Sequence, residues 1–112
     1  MIHKRRSAHE GKLVITFEIP GSVWADTIHL VGDFNGWDRR SLPFGHNRRD
    51  NWQVEVELEG GREYRFRYLV DGVDWRTDRH ADRQTSGEDG FYDSVVVTET
   101  TPVARSLLLQ AE

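Results

Sequence analysis

WQVEVELEGGREYRFRYLVDG, residues 52–72, is the stretch whose reading decides the fold. Trp52, Val54, Val56 and Leu58 alternate with Gln53, Glu55, Glu57 and Glu59, a period of two that only a half-buried β-strand satisfies. Gly60-Gly61 then turns the chain. Tyr64, Phe66, Tyr68 and Val70 follow as a second inward set against Glu63, Arg65, Arg67 and Leu69, and Asp71-Gly72 marks a hairpin.

Working outward, Leu13, Ile15, Phe17 and Ile19 form another apolar face, stopped by Pro20-Gly21-Ser22. Thr27–Val31 reads as a strand running into the Asn35-Gly36 turn, with Ile28 and Leu30 inward. Residues 38–51 read as a loop with a short strand near Leu42, residues 76–92 as irregular, and Ser94–Thr98 as the last strand. Turn signals every ten or so residues predict an all-β, antiparallel sandwich over residues 12–99. Residues 1–11 are expected to be a flexible basic arm and 100–112 a C-terminal tail whose Leu107-Leu108-Leu109 has no assigned structure.

Composition excludes several function classes. The chain has 112 residues, enough for one core. A net charge of −4 argues against a nucleic-acid binder. Without cysteine there is neither disulfide nor thiolate metal site, and no apolar run approaches the roughly 20 residues that span a bilayer. The basic start lacks the apolar stretch of a secretory signal, which makes the cytoplasm the expected location. The five histidines lack metal-ligand spacing, no serine has a nucleophile context, and nothing calls for a cofactor. Asp71, Asp74, Asp78 and Asp82 read as solvent-facing acids.

Four tryptophans need places. Trp52 belongs to the core by alternation, and Trp24, in a loop, is expected to cap one end of the sandwich. Trp37 and Trp75 each follow a Gly-containing turn, in Gly32-Asp33-Phe34-Asn35-Gly36-Trp37 and Val70-Asp71-Gly72-Val73-Asp74-Trp75. Flat rings at strand ends suit stacking on a sugar. Their register matters. A two-residue Asp71-Gly72 turn pairs Tyr68 with Trp75 on the core face. A three-residue loop pairs Leu69 with Trp75 on the face of Arg67, and this is the preferred arrangement.

The run His29–Trp37 followed by Tyr64–Gly72 resembles the family 48 carbohydrate-binding modules, and the likeness covers about residues 12–99. That group includes the early-set domains of isoamylases and glycogen branching enzymes and the glycogen-binding domain of the AMP-activated kinase beta subunit. The resemblance implies an immunoglobulin-like sandwich that binds α-1,4-glucans without catalysis, with a glycogen-active enzyme or kinase-type protein as partner and neither nucleic acid nor membrane. It implies that Trp37 and Trp75 stack on glucose and that Arg67 donates to hydroxyls; Asp93 either accepts from a hydroxyl or pairs with a neighbouring arginine. Asp33 and Asn35 are turn-formers. Asp89 departs from the leucine that the kinase form carries there. The alternative is a β-sandwich protein-interaction module without sugar binding, docking through the tail around Leu107–Leu109.

Overall fold

The computed structural model describes residues 1–87 and 89–98. Among the described residues nine strands run antiparallel in two sheets: β1 (Ile2–Arg6), β2 (Lys12–Ile19), β3 (Ile28–Gly32), β4 (Gly45–His46), β5 (Trp52–Glu59), β6 (Arg62–Val70), β7 (Asp74–Arg76), β8 (Arg83–Ser86) and β9 (Tyr92–Thr98). The first sheet has the order β1-β2-β5-β4 and the second β3-β6-β9-β8, with β7 paired to β6. This is the predicted all-β, immunoglobulin-like sandwich. Among the described residues no helix is long and apolar enough to cross a membrane.

Pairing follows the pleat. Leu13, Ile15, Phe17 and Ile19 of β2 stand opposite Leu58, Val56, Val54 and Trp52 of β5, so apolar meets apolar on the inner face. Strands β5 and β6 do not pair with each other. The Gly60-Gly61 turn carries the chain from one sheet to the other, with Gly61 at φ 75° and Gly60 N–H on the Gly11 carbonyl at 2.8 Å. The two layers meet where the Phe17 and Phe66 rings, both fully buried, pack edge to face at 5.0 Å. Trp52 is buried as its alternation requires, and its indole N–H donates to the Val23 carbonyl at 3.2 Å.

Several expectations need correction. The basic segment at the start contributes an edge strand: Ile2–Arg6 pairs with Leu13–Phe17. Its even residues turn toward the core side, and Lys4 reaches Asp82 at 2.7 Å, an inward charge that blunts the edge. The segment 76–92 holds the end of β7 and all of β8, a polar strand whose sequence lacks an apolar alternation because it lies at a sheet edge. Trp24 caps nothing; it is 93% exposed, and its neighbour Val23 packs on the core instead.

Of the acids read as solvent-facing, three are structural acceptors. Asp71 takes the N–H groups of Asp26 and Thr27 at 2.7 and 3.1 Å. Asp78 is buried, accepting from the Tyr68 hydroxyl at 2.6 Å and His80 N–H at 2.8 Å. Burial and the nearby Asp78 carboxylate push the Tyr68 hydroxyl well above the ordinary phenol range. Asp82 accepts from Val97 N–H at 2.7 Å as well as from Lys4. The tail with Leu107–Leu109 lies outside the described residues.

Gly32 closes β3 where the backbone leaves no room. A Cβ there would lie 2.5 Å from the Arg65 carbonyl oxygen and 2.9 Å from Phe66 Cβ. Gly32→Ala is therefore expected to destabilise the domain by about 2 kcal/mol through overpacking. Urea denaturation checks this, and an unchanged midpoint would show that the strand end yields freely.

Candidate functional site

The turn after β3 aims Trp37. Asn35 ties the turn together: its side-chain oxygen accepts from Gly32 N–H at 3.0 Å, and its amide donates to the carbonyls of Leu30 and Asp38 and to Ser41 Oγ. Phe34 anchors the short 3-10 turn (Asp33–Asn35) on Phe17 and Tyr64, each at 6.0 Å. Gly36 and then Trp37 adopt left-handed backbone, at φ 64° and 60°. For a bulky residue this conformation is costly and needs enforcement from its surroundings. Here Trp37 N–H bonds the Gly32 carbonyl at 2.9 Å and the indole N–H donates to Asp33 Oδ1 at 3.0 Å. The other Asp33 oxygen accepts from Arg65 N–H on β6 at 2.8 Å. Asp33 thus fixes the indole to the sheet.

Strand β7 supplies the second indole. Leu69 stands opposite Trp75 and Val70 opposite Asp74, the register of the three-residue loop Asp71-Gly72-Val73. Asp71 and Gly72 are both left-handed, φ 54° and 75°, and Val73 N–H closes the turn on the Val70 carbonyl at 3.2 Å. Trp75 therefore shares the outer face of β6 with Arg65 and Arg67.

Arg67 departs from expectation. Expected to donate to hydroxyls, it is only 8% exposed, and its partner Asp93 is 4% exposed. Arg67 Nε donates to Asp93 Oδ1, and the two terminal nitrogens form a fork on Asp89, Nη1 to Oδ2 and Nη2 to Oδ1, both at 2.9 Å. Three of five guanidinium N–H bonds are thereby used, and two remain. Asp89 and Asp93 hold the cation more firmly protonated than an ordinary arginine.

Trp37, Arg67, Trp75 and Asp93 line one hollow of about 490 Å³. The indoles are 36% and 37% exposed. Asp33, Arg39, Arg65 and Asp89 complete the lining, so three guanidiniums face three carboxylates and the hollow carries no net charge. Arg39 also lies over the Trp75 ring, 5.4 Å from its centroid. The sequence reading missed the roles of Asp33, Arg39 and Asp89. A signal existed only for Asp33, whose place four residues before Trp37 lets a short side chain reach the indole across one turn.

Residues 13–103 match the family model described as the glycogen recognition site of AMP-activated protein kinase. The chain belongs to this family. It is also 37% identical over 78 positions to the 1,4-alpha-glucan branching enzyme GlgB 2 of Xanthomonas oryzae pv. oryzae (strain KACC10331 / KXO85). That alignment takes in 61% of this chain and 11% of the branching enzyme, so the chain spans only a small part of that relative's length.

Within this glycogen-recognition family fold, Asp89 has an electrostatic consequence. The Arg67 fork, helped by the Phe91 N–H at 3.1 Å, holds the Asp89 carboxyl down at about 2. Because its folded pKa lies below the unfolded one, its contribution to stability is present above about pH 4 and is lost as pH falls toward 2. Asp89→Asn should be less stable than the parent at pH 7 and lose less on acidification across that window. Thermal unfolding by circular dichroism from pH 7 to 2 checks this. Parallel profiles for the two proteins would mean that the fork does not hold in solution.

Proposed function

We propose that this chain is a non-catalytic module that binds α-1,4-glucan chains, glycogen, starch or malto-oligosaccharides, in the hollow between Trp37 and Trp75. The observation that carries this reading is the placement of both half-exposed indoles on one concave face with Arg67 among its lining. A glucose ring offers apolar C–H faces and a rim of hydroxyls. The indoles meet the faces, and the two unspent N–H bonds of Arg67 meet the rim.

A lining of balanced charge suits a neutral polyol; an anionic ligand would favour an excess of guanidinium. Asp93, buried beneath Arg67, acts through that arginine and holds its plane, whereas the exposed edge of Asp89 is an acceptor for a hydroxyl. A carboxyl held at about 2 is a poor general acid near neutral pH, which weighs against glycoside hydrolysis here.

Each aromatic contact is worth about 0.5–1.5 kcal/mol beyond area burial, so the affinity is weak, roughly micromolar to millimolar. Weak sites gain from tethering, and a glycogen-active enzyme or a kinase-type protein is the partner that family membership favours.

Titration with maltoheptaose, followed by tryptophan fluorescence and calorimetry, tests the reading. Trp37→Ala and Trp75→Ala should each weaken binding about tenfold while leaving the β-sheet spectrum intact. No response from the parent protein at ~10 mM sugar would overturn it.

A further inference from the structure

Arg39 already occupies the place a sugar would take on Trp75. Its guanidinium carbon lies over the indole, 5.4 Å from the ring centroid. Trp75 lines two hollows, the one it shares with Trp37 and a neighbouring one it shares with Phe91 and Tyr92. Arg39 lines only the first of these, so the ring surface it covers is the one that faces Trp37.

The local sequence puts the cation there. Asp38 holds the backbone on both sides of Arg39: its Oδ1 accepts from Arg40 N–H at 2.9 Å, and its carbonyl accepts from the Asn35 side-chain amide at 3.0 Å. The same turn carries Trp37, so one short segment supplies an indole to one wall of the hollow and a cation to the other. Among the described residues Arg39 has no ion-pair partner, whereas Arg67 takes both Asp89 and Asp93. A cation without a carboxylate settles on the negative face of an aromatic ring.

That contact and a stacked sugar exclude each other. A pyranose on the indole would set its carbons about 3.5–4.0 Å above the ring, the optimum for dispersion contact. A guanidinium carbon at 5.4 Å from the centroid leaves no layer of that thickness beneath it.

We propose that Arg39 is a built-in competitor for the Trp75 ring: it covers the indole in the free protein, and a glucose unit stacks there only by displacing it. This rests on the glucan-binding reading above. Each binding event therefore exchanges one cation–π contact for one sugar contact, and the module binds more weakly than its two indoles alone would allow. Exposed contacts of this kind correspond to about a two- to fivefold change in affinity.

Calorimetry with maltoheptaose on the parent, Arg39→Gln and Arg40→Gln tests the proposal, together with the proton resonance of the Arg39 Nε–H group. Arg39→Gln should bind about two- to fivefold more tightly than the parent. Arg40→Gln removes the same charge from a neighbouring position outside the hollow, and should match the parent. In a Trp75→Ala background, Arg39→Gln should bring no gain. In the free parent the ring current of Trp75 should move the Arg39 Nε–H proton upfield of an exposed arginine, and saturating sugar should return it. Affinity of Arg39→Gln at or below that of the parent overturns the competitor role while the glucan reading stands. A gain that persists without Trp75, or a resonance that bound sugar leaves in place, does the same. Absence of binding to the parent and to Arg39→Gln alike overturns both readings.

Discussion

A guanidinium buried on the outer face of a sheet sets the terms for this molecule. Arg67 falls there because the pleat of β6 sends Phe66 and Tyr68 into the core and the residues between them outward. Burying a charge costs several kcal/mol unless close partners offset it. Asp93, placed just before the β9 residue opposite Phe66, is one such partner; Asp89, in the turn leading into β9, is the other. Even the turn obeys this need, since a Cβ on Gly87 would stand 2.6 Å from Arg67 Nη2. Removing Asp93 would leave a buried cation half satisfied, whereas removing Asp89 opens the fork to solvent.

The indoles flanking that cation are held by two different devices. Trp75 needs only register: one residue fewer in the Asp71–Val73 loop would turn it to the other face. Trp37 needs enforcement, because its left-handed backbone is unfavourable and survives only through Asn35, Asp33 and the close approach at Gly32. Strain maintained in this way fixes a ring before ligand arrives, which lowers the ordering cost that otherwise weakens small-ligand binding.

Residues whose side chains alternate strictly were legible in the sequence, since a period of two assigns both strand and face. That covers β2, β5, β6 and the core place of Trp52, whereas the outward place of Trp75 depended on choosing a three-residue loop over a two-residue turn. Sheet membership was not legible: Gly60-Gly61 joins two strands that look like a hairpin, yet they lie in opposite layers, because the pattern of a strand does not say which strand it pairs with. Nor was β8, whose polar residues sit at an edge where no apolar face is required. Trp24 misled because an aromatic ring in a loop was expected to be covered, and the smaller Val23 fills that place. The burial of Arg67 escaped because its two carboxylates lie 22 and 26 residues away, in a segment without regular pattern.

An aspartate where the kinase form has a leucine changes what the turn before β9 offers. A leucine would present apolar surface; Asp89 presents charge, and that charge is spent on Arg67. Phe91, two residues on, presents an exposed ring, and its N–H bonds the Asp89 carboxylate. One hydrogen bond thus couples the group that orients the cation to the exposed ring, so the polar and aromatic halves of the turn are set by one backbone geometry.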